Sequence, residues 1–315
     1  MGTSIRSFGV VAAVLAVTLM ACGSAASQAP TPGPTAAATI TPTAAQSAAP
    51  AATPNACAAA GLKTLAAGKL TIGADNPAYP PYYQSTDSTP AGSIWGLGDP
   101  TNGKGLEGAT AYAVAKALGF TADQVVWTAV PFDNAIQPGP KDFDLYLSQV
   151  SYSADRAKAV DLSDGYFDVS QAVVGLKSDA ISKVTTFAGL SAFKLGAPVG
   201  TTSYSYIVDR INPTQPASVY NTLDAAIQAV GAGQIDGVVV DLPTAFYITA
   251  VQLDASTIVG SLPTHGFPEH YSIVLDLGSP LTACVNAAIA SIKADGSLKS
   301  IVDQWITSQG APELK

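Results

Sequence analysis

Few residues in this chain could carry covalent or metal chemistry. Its two histidines, His265 and His270, share one short segment, and its three cysteines, Cys22, Cys57 and Cys284, stand far apart. That spacing supplies neither a metal-ligand cluster nor a Ser-His-Asp or Cys-His constellation. No metal, cofactor or catalytic group is therefore expected, and both histidines read as solvated or locally bonded loop residues. What the sequence offers instead is three short segments suited to holding charge. Arg156 follows Ser151-Tyr152-Ser153-Ala154-Asp155, Gly200-Thr201-Thr202 follows Ala197-Pro198-Val199, and Asp241 follows Val238-Val239-Val240. An arginine's planar fork can hold a carboxylate through two parallel hydrogen bonds. A turn from strand to helix offers N–H groups and hydroxyls to an anion. The plain alternatives are a surface arginine, an ordinary helix cap, and an aspartate capping the turn before Pro243.

Composition narrows the partners. The chain has 315 residues, with 15 Lys+Arg against 23 Asp+Glu and a formal net charge of −8. Its arginines are only Arg6, Arg156 and Arg210, and no basic cluster occurs. A nucleic-acid binder needs clustered Lys and Arg to neutralise phosphates, so that class is excluded. A multi-span membrane protein needs repeated apolar runs of about 18 residues or more, and only the N-terminus comes near. There Arg6 precedes the uncharged run Phe8 to Met20, too short to span a bilayer, and together they read as a secretory signal over residues 1–21. The run ends in Leu19-Met20-Ala21-Cys22, which resembles the bacterial lipobox, whose cysteine is lipidated on its thiol and becomes the new N-terminus. The alternative is ordinary cleavage that leaves a free cysteine. Residues 22–56 are mostly Ala, Pro, Thr and Ser, with no charge between Arg6 and Lys63, so nothing in them can hold a core and a disordered tether is expected.

The rest must supply the elements that bring these three segments together. Leu70-Thr71-Ile72-Gly73, Val125 to Val130 and Asp142 to Leu147 read as strands, the second of them buried. Gly108 to Leu118 reads as a helix ending at Gly119. The alternation then restarts with Ala197-Pro198-Val199, the helix Leu223 to Val230, and the strand Ile235 to Asp241. Gln171 to Leu176 and Tyr271 to Leu275 bracket this second unit, so the chain crosses to a second lobe and returns, with hinges expected near Val173 and Ile273. Leu281 to Ile306, broken at Asp295-Gly296, is expected to pack back on the first lobe. The fold class is α/β with two lobes, each a mainly parallel sheet flanked by helices. A ligand is expected in the crevice between lobes, at the carboxyl ends of strands.

From Leu70 to Ile306 the chain resembles solute-binding protein family 3, the extracytoplasmic amino-acid receptors of ABC importers. The resemblance rests on six pieces in order: Leu70-Thr71-Ile72-Gly73 with Tyr79-Pro80-Pro81-Tyr82; Phe132-Asp133; Ser151 to Arg156 with Asp161 to Tyr166; Gly200-Thr201-Thr202; Val239-Val240-Asp241; and Asp295-Gly296-Ser297-Leu298 with Trp305. It implies a type II periplasmic-binding-protein fold, with residues 57–173 and 274–315 as the first lobe and 174–273 as the second. It also assigns roles. Arg156, with Gly200, Thr201 and Thr202, would grip the α-carboxylate of a free L-amino acid. Asp241 would pair with its ammonium, and Ser151 would share either group. Tyr79 and Phe132 would sandwich the side chain, and the Gln149 amide would face it. A polar or neutral ligand is expected, since no lysine or further arginine lies in the site segments to attract an acidic side chain.

The departures are Leu162 for the family's Phe, a packing change, and Gly105-Leu106-Glu107-Gly108-Ala109 where the family has Gly-Phe-Asp-Val-Asp. The segment Ser85 to Gly103, with Trp95 and Asp99, is longer than typical and is expected at the rim. The implied partners are an ABC permease and ATPase, with the membrane reached only through the lipid. The expected state is a monomer on the outer face of the cytoplasmic membrane, or in a periplasm. Cys57 and Cys284 both fall in the first lobe of an exported protein, so a disulfide between them is expected. The rival readings are an enzyme like cyclohexadienyl dehydratase and a ligand-sensing accessory protein. A dehydratase needs a second acid in the pocket, and Glu107 and Glu269 read as peripheral.

Overall fold

Leu70 to Ala74 (β1) opens the fold of the computed structural model, which describes residues 57–85, 93–264, 268–306 and 310–315. The signal at 1–21, Cys22 with the tether at 22–56, and His265 lie outside the described residues. The first lobe continues with α1 (Leu106–Ala117), β2 (Val125–Ala129), α2 (Phe132–Ile136), β3 (Leu145–Tyr146) and β4 (Asp161–Leu162). The chain crosses through β5 (Phe167–Val169) into β6 (Gln171–Leu176), β7 (Leu195–Pro198), α3 (Thr202–Tyr206), β8 (Ser218–Tyr220) and α4 (Leu223–Gly231). It goes on through β9 (Gly237–Asp241), α5 (Leu242–Tyr247) and β10 (Ser256–Ser261). It returns through β11 (Glu269–Tyr271) to β12 (Val274–Leu275), α6 (Thr282–Ala294) and α7 (Ser297–Trp305).

Two five-stranded sheets result, ordered β2-β1-β3-β12-β4 and β10-β6-β9-β7-β8. In the first only β12 runs against its neighbours, and in the second only β6 does. Both sheets are mainly parallel, and each has as its antiparallel member the strand on which the chain arrives from the other lobe. β5 and β11 pair antiparallel as a separate ribbon between the sheets. The crossing therefore lies a few residues before the positions expected at Val173 and Ile273. Val173 is inside β6, an apolar strand flanked by β9 and β10 from Ala172 onward. Ile273 packs in the first-lobe core beside Leu275. The C-terminal residues depart too: Leu314 packs with Val173 and Val259 in the second lobe, and Glu313 bridges to Ser261.

Local chemistry explains most elements. α1 stops where Gly119 takes φ 87°, a left-handed turn that glycine adopts without strain. α4 buries Ala226, Ile227 and Val230 along one stripe, and Thr222 caps it by accepting from the Ala225 N–H at 3.2 Å. β2 is an edge strand rather than the buried one expected, with Val126 44% exposed, because only β1 covers it. Trp95 and Asp99 are buried rather than at a rim: Trp95 joins the first-lobe core, and Asp99 caps a 3-10 turn by accepting from the Thr101 N–H and hydroxyl. α6 and α7 pack on α1, as expected. Cys57 and Cys284 form a disulfide, with Cα atoms 5.2 Å apart and a sequence separation of 227. None of the described helices is long and apolar enough to cross a membrane.

Candidate functional site

The carboxyl ends of β1, β7 and β9 meet at a cleft that both lobes line. Its cavity measures about 310 Å³ and is walled by Tyr79, Phe132, Gln149 and Arg156 on one side and by Thr201, Thr202 and Asp241 on the other. Seven of the nine expected residues thus share one cavity. The other two, Ser151 and Gly200, lie behind it. Arg156 donates from Nη1 to the Ser151 carbonyl at 2.5 Å and from Nη2 to the Gly200 carbonyl at 2.8 Å, so its fork links the two lobes. The guanidinium also sits 5.4 Å from the centre of the Phe132 ring, which makes Phe132 a cation–π partner of Arg156. Burial pulls the Arg156 ionisation down, and Glu269 and Asp241 oppose that. The Ser151 hydroxyl is buried and has no partner among the described residues.

The acidic side of the site is richer than the sequence suggested. Asp241 is half-buried at the base of the cleft, accepting from the Gln171 amide at 2.5 Å and from the Tyr271 hydroxyl at 2.8 Å. Burial, then the nearby Glu269, raise its ionisation to about 7. Glu269 is not peripheral: it accepts from Thr202 Oγ1 at 2.6 Å and from Gln171 Nε2 at 3.0 Å. One amide, Gln171, therefore bridges the two acids, and Thr202 spends its hydroxyl on Glu269. Thr201 caps α3 by accepting from the Tyr204 N–H at 3.1 Å, the plain cap weighed at the outset. Tyr82 links the lobes a second time, its hydroxyl 3.0 Å from both Thr244 Oγ1 and Tyr271 Oη.

Glu107 is likewise central. It is fully buried and accepts from the Gln149 N–H at 2.6 Å, from the Gln149 side-chain amide, and from the Tyr166 hydroxyl. Gln149 lines the cavity, but its amide nitrogen points to Glu107 rather than to a ligand. Two further carboxylates face the cavity, Asp75 at the end of β1 and Asp133 in α2. Burial is the main cause that raises the Asp75 ionisation, with Asp133 adding to it. Burial, then Asp224 of the second lobe, raise the Tyr79 hydroxyl. Asp75 was findable, since a polar residue just past a parallel strand's carboxyl end is a standard ligand position. Glu269 was not, because only the pairing of β11 with β5 carries it to the cleft. His270 stacks on Tyr152, with ring centroids 5.6 Å apart.

Residues 70–308 match the sequence profile of the bacterial extracellular solute-binding proteins, family 3. The chain belongs to that family. The family-3 chain is 30% identical over 167 residues to ABC transporter arginine-binding protein 1 of Escherichia coli (strain K12), covering 52% of this chain and 67% of that one. It superposes with TM-score 0.60 and 26% identity on an ancestral arginine-binding protein bound to arginine, over 76% of this chain and 99% of that one. It superposes equally, with TM-score 0.60 and 25% identity, on an ancestral amino acid-binding protein that was a precursor of cyclohexadienyl dehydratase, over 76% and 96% of the two chains.

Proposed function

We propose that this protein captures a free L-amino acid between its lobes outside the cytoplasm and presents it to the permease and ATPase of an ABC importer. The observation that carries the reading is one cavity bearing Arg156 from the first lobe and Asp241 from the second. A free amino acid has its carboxylate and ammonium on one carbon, and so needs an anion grip and a cation grip within a few ångströms. Arg156 takes the carboxylate with the backbone N–H groups of Thr201 and Thr202 at the start of α3, and Ser151 and Gly200 sit behind the grip. Asp241 retains unused acceptor positions for the ammonium, since a carboxylate offers about four and two are occupied. Tyr79 and Phe132 flank the side chain.

The ligand side chain is polar. The lack of a cation beyond Arg156 argues against an acidic one. Asp75 and Asp133, neither ion-paired among the described residues, favour a positive side chain over a neutral one, and the arginine-binding relatives agree. The second acids that an enzyme of this fold could use, Glu269 and Glu107, are both engaged by protein donors rather than free for a ligand. Cys22 carries the lipid that holds the monomer at the outer face of the cytoplasmic membrane, with residues 22–56 as tether. The test is a thermal-shift screen of ligand-stripped, refolded protein against the twenty amino acids. The cognate ligand at 100 times its Kd adds roughly 2.7 kcal/mol; no shift with any of them would reject the reading.

A further inference from the structure

Glu107 and Gln149 form a unit that the binding reading above does not use. Three groups touch the Glu107 carboxylate, and all three donate. Oε1 accepts both the Gln149 N–H and the Tyr166 hydroxyl, whereas Oε2 accepts only the Gln149 side-chain amide. The same contacts hold Gln149 at φ 53°, a left-handed conformation that a non-glycine residue rarely adopts. Three donors suit an ionised carboxylate. A neutral acid must donate from one oxygen, and the one with fewer donors is Oε2, facing the Gln149 amide. A backbone N–H cannot accept, and the Tyr166 hydroxyl, which can, shares Oε1 with that N–H; on Oε2 the amide can be turned by 180° to present its oxygen in place of its nitrogen.

We infer that Glu107 sets which face of the Gln149 amide the cleft presents, and that protonation of Glu107 reverses that face from acceptor to donor. With Glu107 ionised, the Gln149 nitrogen is held inward and its oxygen is left for the cavity. With Glu107 neutral, Oε2–H donates to the amide oxygen and the NH₂ group turns to the cavity. The surroundings allow the change near neutral pH. Tyr82 and Tyr83 from the loop after β1, Tyr146 from β3 and Tyr166 before β5 are the ionisable groups around Glu107, with Asp241 acting beyond Tyr82. None of the groups that perturb Glu107 is cationic, and burial raises its ionisation to about 7, with Tyr166 and Gln149 opposing. Glu107 is thus a positioning residue that tunes selectivity: its ionised state favours ligand side chains that donate, and its neutral state those that accept. This effect on ligands rests on the proposed amino-acid binding, whereas the amide reversal itself does not.

The test is NMR of the ligand-free full-length protein from pH 5.5 to 8.5, following the Glu107 carboxyl carbon and the Gln149 side-chain NH₂. Gln149→Leu identifies the latter by loss of its signal. Both should titrate with one shared midpoint, and the Gln149 signals should stay flat in Glu107→Gln. Signals of wild-type Gln149 that do not move, or that titrate with a different midpoint from Glu107, overturn the inference even if the variant fails to fold. Calorimetry with L-arginine at pH 6 and 8 then reads the consequence. Wild type should bind about fivefold tighter at pH 8, the size of one hydrogen bond, beyond any change kept by Glu107→Gln. A reversal seen by NMR with no amino acid bound leaves the inference standing and rejects the binding function instead.

Discussion

Each lobe buries one carboxyl group beside the cleft, and the two are wired differently. Glu107 of the first lobe is closed inside that lobe by Gln149 and Tyr166. Asp241 of the second lobe accepts from Gln171 in its own lobe and from Tyr271 on the returning strand β11, and it feels Arg156 across the cleft. Burial raises both to about 7. The first acid can therefore keep its partners whatever the angle between the lobes, whereas the second has partners on the ribbon that must bend. The same asymmetry recurs covalently: the Cys57–Cys284 disulfide closes the first lobe, and the second contains no cysteine. The contrast suggests that the first lobe is the preformed wall of the site and the second the moving one.

The largest expected effect tests the covalent side of that contrast. Opening a loop of 227 residues by Cys57→Ser with Cys284→Ser should cost at most roughly 5 kcal/mol of stability. Hydrogen exchange should locate the loosening in α1, α6 and β1 and spare β6 to β9; loosening of the second lobe instead would break the comparison. Next, Arg156→Ala should weaken ligand binding by roughly 3–5 kcal/mol, since a buried ligand carboxylate loses its charge partner. Lysine should rescue it poorly, being a point charge without the fork. Calorimetric affinity close to wild type would remove Arg156 from the site.

The third effect is on pH. Because Glu107 and Asp241 titrate higher folded than unfolded, where 4.5 and 3.8 are the ordinary values, the stability they contribute is fully present below about pH 4. It is lost as pH rises through about 7. The unfolding midpoint of ligand-free protein should therefore rise as pH falls from 8 to 5.5, by an amount on the order of a few kcal/mol in stability. Glu107→Gln and Asp241→Asn should each flatten part of the rise, and a midpoint that falls over that range would contradict both assignments. The smallest effect is Tyr82→Phe, which removes the hydroxyl shared with Thr244 and Tyr271. About 1 kcal/mol should be lost in a thermal melt; no change would mean that this bond between lobes contributes nothing.

The periodic and motif-borne features are legible in the sequence. Strand and helix alternation gave the two lobes, and the motifs around Arg156, Thr202 and Asp241 marked the chain segments that converge. What could not be read was how those side chains spend their hydrogen bonds. Gln149 was assigned to the ligand, yet it serves Glu107, because the two are 42 residues apart and only the packing of α1 against the Leu147–Gln149 segment joins them. Thr202 and Asp241 were read as open to ligand, yet Glu269 and Gln171 claim part of each. Such pairings depend on register between strands that are distant in sequence. Gln171 stands directly opposite Asp241 only because β6 runs antiparallel to β9. The hinge was displaced for a similar reason: a hydrophobic run such as Gln171 to Leu176 shows that a strand exists, not which sheet it joins.

In the proposed function, Arg156 and Asp241 read the two charged groups of an amino acid's α-carbon across the cleft. Isothermal titration of wild-type protein with the amino acid that gives the largest thermal shift, beside its methyl ester and its Nα-acetyl derivative, tests it most directly. The ester lacks the carboxylate and the acetyl compound lacks the ammonium, while the side chain is unchanged. Both should lose at least a hundredfold in affinity, about 2.7 kcal/mol. If either derivative binds as tightly as the parent amino acid, the site does not recognise the α-carbon groups in this way.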